Sequence, residues 1–404
     1  MLVLNTHPDY RQPLEAADAG LLGVAQAEEV ERFLTYRENH RPTPLVALPG
    51  LASELEIGAL HLKDESQRLG LGSFKALGGS YAVIRLALAA AAARLGRPVD
   101  ISELSSPDVR AVTSTLFVAC ATDGNHGRSV ALGAQMVGAR AVIFLHAGVS
   151  SQREQSIAAL GAEIVRVDGN YDFSVAEASR VSAENGWTVV SDTSWPGYEE
   201  IPGLVMQGYT ALLQEARRAL DQPPTHVFIQ SGVGGIAAAM AGYLSLVHGA
   251  HRPFLVVVDP ERAACLFESA RAGRLVKVAP TAPTVMAMLE CFEPSLVAWR
   301  ILSRAADAFM TVGEDDAVRT MNRLARPQGE DPAIVAGESG GAGLAGVMRV
   351  AADPRLRALV GLTAQSRVLV VNTEGATDPG LYEKLVGLAP QAVLQQRSKD
   401  KVSS

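Results

Sequence analysis

The sequence predicts an α/β fold: a mostly parallel sheet with helices on both faces. Two observations predict it. From about Leu60 onward short apolar runs alternate with helical patterns, and glycine or aspartate turns separate them. Strands alternating with helices imply βαβ units, whose crossovers cover a parallel sheet on both sides. The chain is also long enough for such a fold: its 404 residues, 48% hydrophobic and 20% charged, supply a core for two or three folding units.

The elements follow in order. Leu60–Lys63 reads as a strand, and Ala82–Ala93 as an apolar helical run interrupted by Arg85 and too short to cross a bilayer. Leu116–Ala119 is a strand, followed by the turn Thr122-Asp123-Gly124-Asn125 and a helix through Met136. Ala141–Leu145 is the next strand, and Ser151 opens a helix to Leu160. Ile164–Val167 and Thr188–Val190 continue the series on either side of the helical stretch Phe173–Ala183. A helix over Leu204–Leu220 leads to strands at His226–Gln230, Phe254–Val258 and Arg367–Val371. No internal repeat is evident, Met1–Tyr10 has no apolar signal core, and the polar tail from Gln391 to Ser404 is expected to fray.

Charge and cysteine usage narrow the function. A net charge of -7 argues against a nucleic-acid partner, which needs a basic surface. Cys120, Cys265 and Cys291 are odd in number and widely spaced, as expected of reduced thiols in a cytoplasmic protein rather than a disulfide framework or a metal site. No membrane association is expected.

Ligands of open α/β sheets sit at the carboxyl ends of strands, and four such places carry unusual residues. In Gly72-Ser73-Phe74-Lys75-Ala76-Leu77-Gly78-Gly79 a lysine opens a helical run between glycines, where partial desolvation favours a neutral amine able to form a Schiff base. Taken alone, Lys75 reads better as a solvated helix start, and the chemical reading gains force only beside the other segments. In Thr122–Arg128 two glycines bracket Asn125 and His126, letting backbone approach a flat ligand, while Asp123 suits either a helix N-cap or a charged role. Ser231-Gly232-Val233-Gly234-Gly235 precedes the small-residue helix Ile236–Ala241 and reads as an anion cradle. Gly232, Gly234 and Ala237 also satisfy a dinucleotide pattern, with Asp259 placed where a ribose-binding acid would stand, so a nicotinamide dehydrogenase stays open. In the fourth place, Asn372–Asp378, Thr373 can give a neutral hydrogen bond to a ring nitrogen or cap a loop.

In this order the Ser73-Phe74-Lys75, Gly124-Asn125-His126-Gly127 and Ser231–Gly235 segments resemble the fold-type II pyridoxal-phosphate (PLP) enzymes, the family of threonine dehydratase and the tryptophan synthase β-subunit, over roughly Arg41 to Asp378. The resemblance implies two open, twisted, mostly parallel sheets flanked by helices, with the cofactor at the domain junction. It implies a large domain over 1–81 and 201–404, a small mobile domain over 82–200, and a homodimer. Lys75 would carry PLP as an imine and Asn125 would bond the ring hydroxyl. Gly232, Val233, Gly234 and Gly235 would hold the phosphate, and Thr373 would face the pyridine nitrogen.

Within the family the segments Thr122–Arg128, Ser191–Tyr198, Met206–Tyr209, Thr284–Pro294 and Asn372–Pro379 are similar to the diaminopropionate ammonia-lyases. Asp123 stands where relatives that dehydrate serine or threonine usually have serine. Gly72-Ser73, by contrast, looks like the dehydratases, and Gly337–Gly341 matches only approximately. The resemblance implies α,β-elimination of 2,3-diaminopropionate to pyruvate and ammonia. Lys75 would take the α-proton of an L-substrate and Asp123 that of a D-substrate, with Asp192 acting on the departing nitrogen. A serine, threonine or hydroxyaspartate dehydratase on the same fold is the nearest alternative.

Overall fold

The computed structural model describes residues 1–36, 40–122, 124–169 and 171–400. Among them the strands, in chain order, are β1 (Leu2–Leu4), β2 (Leu45–Ala47), β3 (Ala59–Asp64), β4 (Phe117–Ala121), β5 (Arg140–His146), β6 (Glu163–Val167), β7 (Thr188–Val189), β8 (His226–Gln230), β9 (Phe254–Pro260), β10 (Ala308–Val312) and β11 (Arg367–Asn372). They form two sheets, one in each of two compact units. The first unit comprises Met1–Val24, Pro42–Phe74 and Leu212–Ser404; the second comprises Ala25–Arg41 and Lys75–Ala211.

The sheet of the first unit runs β1-β10-β9-β8-β11-β3-β2. Its interior pairs are parallel, and only the short edge strands β1 and β2 are antiparallel. Such a sheet must bury both faces; accordingly every residue of β8 and β10 is buried. Phe228, Val256, Val258, Met310, Val347 and Val370 share one core. From β8 the chain builds outward through β9 and β10, whereas β11 and β3 lie on the other flank. That reversal between β8 and β11 is the kind of switch point where open α/β sheets bind ligands. The loops leaving these two strands carry Ser231–Gly235 and Thr373.

Charge is also buried in this unit. The Arg68 guanidinium donates to both Glu65 and Glu215, and Lys63 Nζ donates to Glu215 at 2.6 Å and to the Thr43 carbonyl at 2.6 Å. Two cations meet two carboxylates, so the desolvation of each is offset by complete pairing.

The second unit holds the parallel sheet β6-β5-β4-β7. Ala119, Val142, Phe144 and Val167 pack against Ala178 of the helix Tyr171–Asn185. The helix Lys75–Leu95 lies close against the helix Asn125–Val137 because small residues face each other. A Cβ on Gly79 would stand 2.8 Å from Ser129 Oγ, and one on Gly133 would stand 2.9 Å from Ser80 Cα. The Ser80 N–H donates to Ser129 Oγ at 2.9 Å.

The structure agrees with the sequence at one helix and departs from it in two places. The helical run that Lys75 opens extends to Leu95; these 21 residues hold an 18-residue window of mean hydropathy 1.5, long and apolar enough to cross a membrane by those criteria alone, yet 67% of that window is buried within the protein. The tail is not frayed up to residue 400: Pro390–Asp400 is helical, and Val393 is buried with Tyr382 and Val386. Residues 401–404 lie outside the described residues. Finally β10, unread in the sequence, is a fully buried interior strand.

Candidate active site

In the second unit the turn after β4 builds an N-terminus. Thr122 Oγ1 accepts the N–H groups of Gly124 at 3.1 Å and Gly127 at 3.2 Å, which caps the helix Asn125–Val137. Gly124 has φ 156°, and a Cβ on Gly127 would collide with Thr122. Asn125 and His126 are thereby buried in the first turn. His126 Nε2 lies 2.8 Å from the Val190 carbonyl, which can only accept, so that nitrogen carries hydrogen. Burial pulls the His126 pKa down and keeps the ring neutral.

Lys75 is the first residue of its helix, and its Nζ donates to Asp192 Oδ2. Burial alone would raise the Asp192 carboxyl, but the charge of Lys75 and its hydrogen bond outweigh it and hold Asp192 below the usual carboxylate range. His126 Nδ1 stands 4.0 Å from the same oxygen. Tyr198 secures the segment leading to Asp192: its hydroxyl donates to the Val189 carbonyl at 2.8 Å and accepts the Ser191 N–H at 3.0 Å. The Tyr198 ring stacks on Trp195 at 4.2 Å between centroids. Burial raises the Tyr198 phenol, so it remains protonated.

In the first unit β8 runs into Ser231–Gly235, and Gly235 starts the helix Gly235–His248. Gly234 precedes it with φ 112° and no side-chain cap. A Cβ on Gly232 would stand 2.9 Å from Cys291 Sγ, and one on Gly234 would stand 2.7 Å from Ala298 Cβ. Ser231 Oγ is buried without a hydrogen-bond partner among the described residues. An uncapped helix start, two positions without room for a side chain and an orphan hydroxyl fit a phosphate group. From the neighbouring strand β11, Thr373 is buried, and its Oγ1 lies 2.8 Å from Gln230 Nε2. The Thr373 carbonyl accepts the N–H of Phe74 at 2.9 Å, so the segment just before Lys75 is pinned to this loop.

The predicted residues therefore fall into two groups. Lys75 and Asp192 bond directly in one unit, where Asn125 opens a helix. Gly232, Val233, Gly234, Gly235 and Thr373 lie at the ends of the adjacent strands β8 and β11 in the other. Asp123 lies outside the described residues. Among the described residues no cluster of three or more His, Cys, Asp or Glu is suited to a metal. Asp259 does not serve a ribose: it is buried, and its Oδ2 accepts the N–H groups of Leu266 at 3.0 Å and Phe267 at 2.9 Å. Sequence reading missed Gln230, Tyr198 and the place of His126. For Gln230 the one signal was a polar side chain closing an otherwise apolar strand directly before a glycine loop.

Known proteins resemble this chain along most of its length. The family model described as pyridoxal-phosphate dependent enzyme matches residues 36–374. Diaminopropionate ammonia-lyase of Escherichia coli K12 is 38% identical over 380 residues, covering 92% of this chain and 94% of the relative. The crystal structure of the Escherichia coli ammonia-lyase in complex with an aminoacrylate–PLP azomethine reaction intermediate superposes with a TM-score of 0.84 at 35% identity, covering 96% of each chain. The processed form of threonine deaminase isoform 2 from Solanum lycopersicum shares the fold, with a TM-score of 0.72 at 17% identity, 96% of this chain and 98% of that one being covered.

Proposed function

The chain belongs to the pyridoxal-phosphate dependent enzymes, and on that premise we propose that it is an ammonia-lyase converting 2,3-diaminopropionate and water to pyruvate and two molecules of ammonia. The observation that carries this reading is the half-buried Lys75–Asp192 pair: an amine at a helix start held against a carboxylate that stays ionised.

PLP, when bound, supplies an aldehyde that condenses with amines and a ring that withdraws electrons from the substrate α-carbon. Lys75 would be its attachment point, and its amine would take the α-proton of an L-substrate. We assign the opposite face to Asp123, which would act on a D-substrate. Asn125 would bond the ring hydroxyl, Gly232 to Gly235 would bind phosphate through backbone N–H groups, and Thr373 would meet the pyridine nitrogen.

Asp192 gives the substrate preference a physical basis. Diaminopropionate carries an ammonium where serine carries a hydroxyl. An ionised, mostly buried carboxylate makes a charge-assisted bond to that ammonium. With serine the carboxylate loses that partner, at a cost of about 1–3 kcal/mol. In the elimination Asp192 stays ionised and accepts a hydrogen bond from the β-ammonium, which departs with the C–N electron pair as ammonia, keeping its three hydrogens.

We place the enzyme in the cytoplasm as a homodimer; the free thiols of Cys120, Cys265 and Cys291 support the first part and the family resemblance the second. The test of the reaction is stoichiometric. Two ammonia per pyruvate from diaminopropionate supports the elimination, and a ratio of one contradicts it.

A further inference from the structure

Gln230 closes β8, is fully buried, and has an amide whose orientation its neighbours determine. The Gly343 N–H points at Oε1 from 3.1 Å, and a backbone N–H can only donate. Nε2 faces the carbonyl oxygens of Val371 at 3.0 Å, Ser339 at 3.3 Å and Gly340, which can only accept. Exchanging amide oxygen and nitrogen would set oxygen against three oxygens and a donor against a donor. The remaining neighbour of Nε2 is Thr373 Oγ1 at 2.8 Å. Toward Gln230 the hydroxyl can therefore only accept. It has one hydrogen and two lone pairs, so that hydrogen points elsewhere.

We propose that Gln230 is a positioning residue that fixes Thr373 as a hydrogen-bond donor and thereby keeps the pyridine nitrogen of the cofactor unprotonated. The proposal rests on the reading above that Thr373 meets that nitrogen. A hydroxyl already receiving an N–H on one side and donating on the other matches a bare pyridine lone pair. A pyridinium would present a second donor to a group whose hydrogen it must turn away. Gln230 thus sets an electronic property of the site without touching the substrate.

The test uses holoenzyme reconstituted with PLP labelled with 15N in the ring, observed by 15N NMR as wild type, Gln230→Met, Thr373→Val and Thr373→Ser. The wild-type nitrogen is expected to resonate as an unprotonated pyridine carrying a hydrogen bond. Thr373→Val should move it downfield toward a pyridine with no donor, while Thr373→Ser should stay near wild type. Gln230→Met should shift in the same direction as Thr373→Val, because the hydroxyl is then free to turn toward the vacated carbonyls. The double variant should move no further than Thr373→Val.

A Gln230→Met enzyme with the wild-type resonance but a lowered Tm would overturn the proposal and leave Gln230 as a brace. A protonated wild-type nitrogen would also overturn it, and that measurement needs no Gln230 variant to fold. An unchanged resonance in Thr373→Val would remove Thr373 from the ring. Wild-type protein that takes up no labelled PLP would instead refute the functional reading beneath the proposal.

Discussion

Asp259→Asn should stabilise the protein progressively as pH rises. Asp259 lies at the carboxyl end of β9 with only 1% of its surface exposed. Burial pushes its carboxyl up to about 8, outweighing the two backbone N–H groups of Leu266 and Phe267 that favour the ionised form. The unfolded chain releases this proton near the ordinary value of 3.8, so between that pH and about 8 the folded state holds a proton that the unfolded state has lost. The native state therefore binds more protons across this window, and stability falls as pH rises. The slope is about 1.4 kcal/mol per pH unit, or roughly 3 kcal/mol between pH 5 and 7.5. Asparagine keeps an acceptor oxygen for the two N–H groups and cannot ionise. Urea unfolding of both proteins at half-unit pH steps, followed by circular dichroism, gives the difference curve. It should be smallest near pH 4 and grow in favour of the variant toward pH 7.5. A flat difference, or one favouring wild type at higher pH, would refute the argument and reopen Asp259 as an ionised, ligand-facing acid.

Two further substitutions address the cofactor. Lys75→Ala should abolish both turnover and the lysine-bound absorbance of added PLP; retained activity would refute the assignment of Lys75. Gly234→Ala forces a β-carbon to 2.7 Å from Ala298 Cβ at φ 112°, and should weaken PLP binding by about tenfold or more, about 1.4 kcal/mol. Absorbance titration measures it, and unchanged affinity would remove this loop from the phosphate site.

The parts of the fold that were legible in the sequence share a physical cause. β8, β9 and β11 are runs of valine, leucine, isoleucine and phenylalanine that end at polar or turn residues, as buried parallel strands require. β10 was not legible because Ala308-Phe309-Met310-Thr311-Val312 follows the helix Leu296–Ala305 after only two residues and lacks a β-branched majority; burial between β1 and β9 makes it a strand. The start of the helix at Lys75 was legible although the helix contains Gly78 and Gly79, which helix propensity disfavours. Tertiary packing explains them: a Cβ on Gly78 would stand 2.5 Å from Tyr209.

At the site, Lys75, Asn125 and the Ser231–Gly235 loop were legible because glycines and turn residues mark them locally. Gln230 was not, since its partners lie 109 to 143 residues away. Lys63 and Glu215 likewise meet across 152 residues. Asp259 occupies the position where a dinucleotide pattern wants an acid, and only its burial shows that it serves the following helix instead.

The most direct test of the proposed activity is kcat/KM for pyruvate release by purified, PLP-loaded protein from D- and L-diaminopropionate, with L-serine and L-threonine alongside. Turnover of diaminopropionate is expected well above that of either hydroxy amino acid, with the D-enantiomer reporting on Asp123. Keto acid from serine or threonine alone would contradict it and make the protein a dehydratase.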